Sequence, residues 1–468
     1  MKNVFSEKLK ELIHLSGIKQ QSIAQATGYD LSYISKWIGG KMLPSEKTIE
    51  TTVEIIARSI SLEAGKDTSW IAERSGEPQG QTASEVIKIE LLEAYNISKG
   101  TQKNLATYHV SLSSKQFYKS IYDLIDTSDS ASLIIDLFAM DRESRQILIG
   151  LEDGYYKKEQ YDSKKKVSLV ISTTNCDEII YDAVSLIHLI TVFSRFDFNL
   201  INGTIASGKA VAVSTNKIVS GFIIENSSKV FSVSISNAIN SGVEIQNEFT
   251  RMAQKIGSVY LKKDMVSFAN CKDYLKSMLS TNIRWVQGHI TELIMPADLY
   301  EKLLASIKGV NKDEAERIYM FSKNIIEQDS TNILMYETAL SDLVATGEVD
   351  FYNNKIVLSP EEIEAYICFL IKIFETCNVQ LISAPLFPEF RHAYSPCLYI
   401  SDSICYIRIE NAYGSDNILE ITDMDVRMLF ENFYSDVTDK RRDVIIKDKS
   451  VILQRLEHYK RMAHIAVG

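Results

Sequence analysis

The stretch IKQQSIAQATGYDLSYISKWIGGKMLPSEKTIETTVEIIA, residues 18–57, decides how the amino-terminal part of the chain folds. Within it Ala24 and Gly28 lie four residues apart, and Ile34 and Trp37 follow at helical spacing. A small residue lets two short helices cross closely, and a glycine tolerates the positive φ of a tight turn between them. The pattern therefore predicts two short helices joined by a tight turn, with Ile34 and Trp37 packing the second helix onto the first.

The second of these helices is predicted to begin near Asp30. The side chains on the face opposite Ile34 and Trp37 are small, polar or basic, and they are Leu31, Ser32, Ser35 and Lys36. Such a face suits a helix that enters the major groove of DNA, where base edges offer hydrogen-bond donors and acceptors.

A family pattern runs through the same stretch. The residues that carry it are Gln20, Ala24, Gly28, Ile34, Ser35, Lys36, Trp37, Gly40, Lys41 and Pro44. With these residues the stretch resembles the helix-turn-helix of the lambda-repressor-like, Xre (Cro/repressor) transcriptional regulators. The resemblance covers about an eighth of the chain, and it implies an all-α five-helix domain over residues 1–65. One departure is Ile38-Gly39, where the family commonly has a Glu-Arg pair.

The resemblance implies that double-stranded operator DNA is a partner. It makes the helix from Asp30 the recognition helix, whose candidate base contacts are Leu31, Ser32 and Lys36. The candidate phosphate contacts are Gln20, Tyr33, Ser35 and Lys41.

Charge is unevenly divided along the 468 residues. Lys and Arg number 51 and Asp and Glu 61, a net charge of −10 that on its own argues against a nucleic-acid partner. Residues 1–60, however, hold eight basic and six acidic residues, so the net charge is +2 there and −12 in the remainder. We call the amino-terminal domain, residues 1–65, the head. Because its surplus of positive charge is small, we expect one head to bind DNA with modest affinity and the protein to act as a homodimer that reads two half-sites.

Length and composition predict several folded units after this head. With 45% hydrophobic residues, 20 Gly and only 7 Pro, little of the chain should be disordered. The predicted organisation is a linker at 66–84, a helical connector or dimerisation region at 85–160, and α/β units at 161–310 and 311–468. The fold class is multidomain α+β, with an all-α head, a helical connector and a mixed α/β body.

Helical and strand-like sequence patterns alternate in the body, the part of the chain after the linker at 66–84. Residues 85–153 and 299–346 have mainly helical patterns, whereas 166–173, 209–215, 219–226 and 229–236 are β-branched and predict strands around an apolar helix at 181–196. A hairpin is predicted to turn at Asn353-Asn354.

The body also shows a weak internal similarity. The segment VFSRFDFNLI at 192–201 is similar to IFETCNVQLI at 373–382, and GFIIEN at 221–226 is similar to YIRIEN at 406–411. This predicts two related α/β units, and a cleft between such units is a natural ligand site.

One motif mimics a nucleotide site. Gly203 to Lys209 matches GxxxxGK, but magnesium binding needs Ser or Thr next and the phosphates need a following helix. Ala210 comes next and begins an apolar, strand-like run, so an ordinary loop is favoured. No nucleophile-base pair or cofactor motif stands out; we predict that the protein is not an enzyme and uses no cofactor.

Metal binding and membrane insertion are not predicted either. The six cysteines form no CxxC pair, the seven histidines form no metal-spaced set, and His188 in its apolar helix is expected to be a core residue. The amino terminus lacks the apolar core of a signal peptide, and no apolar run reaches membrane-spanning length. A cytoplasmic location is expected.

Three functions remain open. The leading prediction is a sequence-specific transcriptional regulator, by default a repressor, whose large carboxy-terminal region dimerises and senses an effector. An alternative is a phage-type or mobile-element repressor whose carboxy-terminal region binds a protein or peptide. The third, less favoured, is an enzyme tethered to DNA.

Overall fold

A computed structural model describes the chain between residues 3 and 465 with gaps. The described residues are 3–64, 83–99, 110–149, 162–194, 196–205, 208–215, 217–223, 229–236, 239–264, 280–308, 310–326, 331–352, 354–390, 397–409 and 418–465. The chain divides into two compact units, each made of two stretches. The first unit combines Met1–Ser128 with Ala210–Asn247, and the second combines Asp129–Lys209 with Glu248–Gly468.

Helices and strands alternate along most of the described chain. The α-helices are α1 (Val4–Ser16), α2 (Gln20–Thr27), α3 (Leu31–Ile38), α4 (Ile49–Ala64), α5 (Ala83–Ser98), α6 (Ser114–Asp126), α7 (Arg142–Ile149), α8 (Ile179–Phe193), α9 (Ile239–Ile256), α10 (Ala297–Ser306), α11 (Lys312–Ile326), α12 (Glu337–Thr346), α13 (Pro360–Thr376), α14 (Met424–Lys440) and α15 (Lys449–Ile465). Single 3₁₀ turns lie at Thr173–Asn175 and Pro388–Phe390.

The strands begin after the fifth helix. They are β1 (Val110–Ser113), β2 (Ser130–Ile135), β3 (Asp162–Ile171), β4 (Phe196–Asn202), β5 (Lys209–Ser214), β6 (Ile218–Ile223), β7 (Lys229–Ser236), β8 (Tyr260–Lys263), β9 (Arg284–Gln287), β10 (Asn332–Tyr336), β11 (Glu348–Phe351), β12 (Asn354–Val357), β13 (Asn378–Ile382), β14 (Cys397–Ile400), β15 (Cys405–Arg408), β16 (Ile418–Ile421) and β17 (Ile445–Ile446). The chain is thus a multidomain α+β protein with helices first and a mixed body after them, as predicted. The predicted domain boundaries stay predictions.

Helices α1 to α5 share one hydrophobic core in the first unit. Phe5 of α1, Ile34 and Trp37 of α3 and Tyr95 of α5 are all buried in it. The rings of Phe5 and Tyr95 meet edge to face with centroids 5.9 Å apart, and the Tyr95 hydroxyl donates to the carbonyl of Pro44 at 3.1 Å. A helix that begins at residue 83 therefore completes the core around the helix-turn-helix.

An antiparallel set of strands, β1, β7 and β6, also belongs to the first unit, with Val110 opposite Val233. Gly221 of β6 lies where α6 packs on these strands. A Cβ at this position would stand 2.5 Å from Cγ1 of Val230 and 2.9 Å from Cε2 of Phe117. The close approach of the helix therefore requires glycine here.

The second unit contains a parallel set of strands, β2, β3 and β4. Leu133, Leu169 and Leu200 lie in register across it, and each is at most 1% exposed. Parallel strands are covered on both faces, which explains their apolar sequences. Helix α8 is apolar on nearly every side, as expected of a helix enclosed in a core.

An eight-stranded sheet completes the second unit, with the order β17-β13-β10-β9-β14-β15-β16-β8. Strands β9, β10 and β13 are parallel, with Trp285, Ile333 and Val379 in register. The other neighbours are antiparallel. Side chains from α10 to α13 and from α15 join these strands in one large core.

Two ionic clusters are enclosed in the second unit. Arg408 Nη2 lies 2.9 Å from Glu292 Oε2 and 3.3 Å from Asp350 Oδ2, and none of these side chains is more than 3% exposed. Arg145 donates to Asp182 at 2.5 Å, and burial raises the pKa of the Asp182 carboxyl. Because desolvating a charge is costly, each of these groups depends on its partner.

His188 of α8 is a core residue, as the sequence predicts. Its ring stacks on Phe390 with centroids 4.7 Å apart and planes 4° from parallel. Burial lowers the pKa of His188 to about 3. The imidazole is therefore neutral in the folded chain at physiological pH.

This buried histidine predicts a loss of stability in mild acid. An unfolded histidine takes up a proton near pH 6.5 while His188 stays neutral, so the unfolded state binds more protons and the free energy of unfolding falls by about 2 kcal/mol between pH 6.5 and 5. Urea denaturation of His188→Leu should show a pH dependence smaller by this amount. The matched change at the exposed His458, His458→Leu, should leave it unaltered; equal pH dependence in all three proteins would contradict the assignment.

The predicted strands at 166–173, 209–215 and 229–236 are confirmed as β3, β5 and β7, and the apolar helix as α8. The predicted strand at 219–226 is confirmed as β6 as far as residue 223, and residues 224–226 lie outside the described part of the chain. The hairpin is confirmed as β11 and β12, with Phe351 opposite Asn354, so Asn354 belongs to a strand and not to the turn, and Asn353 lies outside the described residues. The similar segments 192–201 and 373–382 each span a helix end and a parallel strand. Glu225, Asn226, Glu410 and Asn411 lie outside the described residues, and the duplication stays a prediction.

Candidate nucleic-acid interface

The turn between α2 and α3 is built as its sequence predicts. Gly28 has a φ of 72°, the left-handed conformation that glycine adopts without strain. Ala24 and Ile23 of α2 are buried beneath α3, whose Ile34 and Trp37 are at most 1% exposed. The opposite face of α3 is thereby fixed toward solvent.

Helix α3 begins at a side-chain cap. Asp30 accepts a hydrogen bond from the backbone amide of Ser32 at 2.8 Å. Hydrogen bonds from the side chain and backbone of Ser32 lower the pKa of Asp30. The carboxylate therefore stays ionised and satisfies a backbone donor that the first turn leaves open.

The end of α3 is equally defined, although Ile38-Gly39 departs from the family pattern. The amide of Lys41 donates to the carbonyl of Lys36 at 2.9 Å, and the amide of Gly40 donates to that of Trp37 at 3.1 Å. Gly40 has a φ of 70°. Together these bonds form a Schellman motif with Gly40 at its left-handed position. The loop after α3 is thus set by glycine geometry in place of a charge pair.

All seven predicted contact residues are exposed, namely Gln20, Leu31, Ser32, Tyr33, Ser35, Lys36 and Lys41. Two pairs among them touch. The hydroxyl of Ser35 donates to Oε1 of Gln20 at 3.3 Å, linking the start of α2 to α3. The ammonium of Lys36 lies 5.4 Å from the centroid of the Tyr33 ring.

Tyr29 is a further member of this surface that the sequence pattern did not single out. Its ring lies 4.9 Å from that of Trp37 and 6.0 Å from that of Tyr33, measured between centroids. Its hydroxyl forms a 3.1 Å hydrogen bond with Oγ1 of Thr48. Tyr29 thus joins the turn, the exposed face of α3 and the segment before α4. The sequence feature that could have identified Tyr29 is its position as an aromatic residue directly after the turn glycine.

The cations of the amino-terminal head differ in whether they pair with an acidic side chain. The cations that pair with glutamates are Lys8, Arg58, Lys88 and Lys99. The exposed cations that form no ion pair among the described residues are Lys10, Lys19, Lys36, Lys41 and Lys47. The last four of these lie between residue 19, the N-cap of α2, and the start of α4. The segment from α2 to the start of α4 therefore carries most of the unpaired positive charge of the head that a phosphate backbone would contact.

The described part of the body offers no phosphate-binding loop and no metal site. Lys209 of the GxxxxGK match is the first residue of β5, so a strand follows the loop, as predicted, and the amide of Gly208 donates to Asp136 at 3.1 Å. No group of three or more His, Cys, Asp or Glu in the described ranges could hold a metal ion. Nor is any helix in the described parts long and apolar enough to cross a membrane.

Comparison with known proteins adds little. The sequence matches no protein family and no curated protein. Among solved structures, TrmBL2, an archaeal chromatin protein whose structure shows a novel mode of DNA binding, overlaps 43% of this chain and 70% of its own at 10% identity, with a TM-score of 0.21. A score this low carries no argument about fold or function.

Proposed function

We propose that the protein is a sequence-specific DNA-binding transcriptional regulator, acting in the cytoplasm as a homodimeric repressor. The exposed face of α3 supports this function most directly. Two buried residues, Ile34 and Trp37, fix the helix from below, and caps at Asp30 and Gly40 define both of its ends. A preorganised helix with a small, polar and basic face is what reading base edges in the major groove requires.

The side chains divide into two roles. Leu31, Ser32 and Lys36 contact base edges, where the methyl group of thymine suits Leu31 and guanine acceptors suit Lys36. Gln20, Tyr33, Ser35 and Lys41 contact phosphates and set the position of the helix. In the 3.3 Å bond the Ser35 hydroxyl donates to Oε1 of Gln20, which orients the Gln20 side chain with its amide NH₂ group as the donor for a phosphate.

Dimerisation follows from the size of one head. A single recognition helix reads only a few base pairs, and the few unpaired cations around it limit affinity. Two heads bound to adjacent half-sites contact more base pairs and more phosphates, which raises both specificity and affinity. In this proposal the large carboxy-terminal region dimerises and senses an effector. Effector binding changes the distance between the two heads, so that it either matches or fails to match the spacing of the DNA half-sites.

Selection from random duplex DNA tests the function, because it requires no known operator sequence. We expect the full-length protein to enrich inverted repeats with half-sites about 10 base pairs apart. Lys36→Ala and Ser32→Ala should each weaken binding to the enriched sequence by about 1–3 kcal/mol, with unchanged circular dichroism. Arg58→Ala removes the same charge from a cation paired on α4, so it should bind nearly as wild type. Failure to enrich any sequence, or equal binding by all variants, would exclude this function.

A further inference from the structure

The carboxy-terminal end of the body has the opposite charge to the rest of the body. Residues 440–465 hold eight Lys or Arg and three Asp or Glu, a net charge of +5, whereas residues 61–439 hold 35 basic and 52 acidic residues, a net charge of −17. The basic segment comprises the last residue of α14, β17 and α15, and it lies within the second unit. A local reversal of sign in an acidic protein favours contact with an anionic partner at this place.

Buried contacts fix the orientation of α15. Leu456 and Ala463 are at most 1% exposed and lie in the large core of the second unit. Residues two positions apart on a helix are rotated by roughly 200° from one another. His458 and Arg461, each two positions from one of these core residues, are accordingly exposed. The core thus holds one face of α15 toward solvent.

The backbone before α15 is held by hydrogen bonds. Strand β17 pairs with β13 at the edge of the eight-stranded sheet. Next to it, the carbonyl of Val444 accepts hydrogen bonds from the amide and the hydroxyl of Ser383 at 2.8 and 2.9 Å. Arg442 lies before β17 and Lys447 after it, and both side chains are exposed. These two cations therefore extend from a fixed backbone.

Five of the eight cations in the segment already have a partner. Those that pair with carboxylates are Lys440, Arg441 and Arg455. Lys449 donates to the carbonyl of Glu375, and Lys460 donates to the side chain of Cys368. These contacts tie the segment to itself and to its neighbours, so none of the five is counted as a contact for a partner.

Three exposed cations remain, Arg442, Lys447 and Arg461, and we call them the basic surface. The side chains of Arg442 and Lys447 form no hydrogen bond or ion pair with any described residue. Arg461 donates from Nε to the carbonyl of Glu457 at 3.3 Å. Because a carbonyl has no net charge, the guanidinium of Arg461 keeps its positive charge for a partner.

The acids of the same segment are fewer and are partly engaged. Asp443 pairs with Arg441. Asp448 accepts hydrogen bonds from the amide and the hydroxyl of Ser450 at 2.9 and 2.6 Å. Glu457 is exposed on α15. Positive charge therefore predominates over the segment as a whole.

We propose that the basic surface binds the phosphate backbone of double-stranded DNA. Arg461 lies roughly 18 Å along α15 from the first residue of that helix, at 1.5 Å per residue. Over this length each strand of DNA presents about five phosphates, one per 3.4 Å. A row of cations on this scale contacts phosphates and reads no bases, so it raises affinity for DNA of any sequence. The inference rests on the proposed function only for the choice of DNA as the polyanion.

The salt dependence of binding to a fluorescent duplex of random sequence tests the proposal on the full-length protein. We compare the wild type with a triple variant that carries Arg442→Gln, Lys447→Gln and Arg461→Gln. The triple variant should bind more weakly at low salt. The slope of log K against log salt should become shallower by about 2–3, since each lost phosphate contact contributes about 0.9.

Two controls separate charge at this surface from charge in general. The variant with Arg251→Gln, Lys302→Gln and Lys355→Gln removes the same total charge from cations that pair with glutamates elsewhere in the protein, and it should keep the wild-type slope. The variant with Arg442→Lys and Arg461→Lys keeps the charge of the basic surface and should also keep the slope. Circular dichroism and melting temperature should be unchanged in all variants, because every replaced side chain of the basic surface is exposed.

Equal salt slopes in the wild type and the triple variant would overturn the proposal. A triple variant with unchanged DNA binding but an altered sedimentation coefficient would also overturn it, and would show that the surface contacts a second copy of the acidic body. The outcome is separable from that of the proposed function. If no sequence is enriched from random DNA and the triple variant still has the shallower slope, sequence-specific regulation fails and the basic surface stands.

The converse result is equally distinct. If Lys36→Ala weakens binding to an enriched sequence while the triple variant matches the wild type on random DNA, the proposed function stands and the basic surface is overturned.

Discussion

Replacing Arg408 by methionine will lower the free energy of unfolding of the second unit by about 3–5 kcal/mol. The change removes a cation that pairs with both Glu292 and Asp350 and leaves two carboxylates enclosed together, each at most 3% exposed. Two enclosed carboxylates without a cation are costly to keep in the fold because each has been removed from water.

Urea denaturation of the full-length protein at pH 7 measures this effect. The matched control is Lys355→Met, which breaks the ion pair between Lys355 and Glu348 on the hairpin, where both side chains are about half exposed. Exposed pairs contribute about 0–1 kcal/mol. If Arg408→Met costs no more than Lys355→Met, the enclosed cluster does not stabilise the fold in the way described.

Trp37→Ala should unfold the amino-terminal head and abolish DNA binding while the second unit stays folded. Trp37 is 1% exposed and packs on Tyr29, and truncating a buried tryptophan costs about 3–5 kcal/mol. Much of the stability of a small helical core would be lost with it. Hydrogen exchange followed by mass spectrometry should show lost protection in peptides from α1 to α4 and unchanged protection in peptides from β9 and β10.

The control for this change is Trp37→Phe. The indole Nε1 of Trp37 is buried and has no hydrogen-bond partner in the described part of the chain, so phenylalanine removes an unsatisfied donor and keeps most of the ring contact. We expect Trp37→Phe to retain head protection and DNA binding. Retained protection in Trp37→Ala would mean that this residue does not hold α3 in place.

The helix-turn-helix was predictable because its determinants are local. Ala24, Gly28, Ile34 and Trp37 fall within fourteen residues, and each has one conformational or packing role. The seven predicted contact residues are all exposed. Their contact with DNA stays a prediction, because exposure is a condition for binding and does not identify what is bound.

The secondary structure of the body was harder to predict from sequence because its strands are short and buried. Residues 85–153 and 299–346 were predicted to be mainly helical, yet β1 and β2 lie in the first range and β10 in the second. A short run of small and apolar residues, such as Ser130–Ile135, can have the same composition in a strand as in a helix. The packing of α5 into the head core was also not predicted, because residues 65–82 separate it from α4 and no local pattern links distant helices.

The division of the first unit into two stretches has a consequence for synthesis on the ribosome. The core of α1 to α5 is complete once residue 98 has left the exit tunnel, whereas β1 waits for its neighbour β7, which begins at residue 229. At 5–20 residues per second the delay is about 6–25 s. The nascent chain would present a folded helix-turn-helix while β1 still lacks its neighbouring strand, so β1 is a segment to which a chaperone has time to bind.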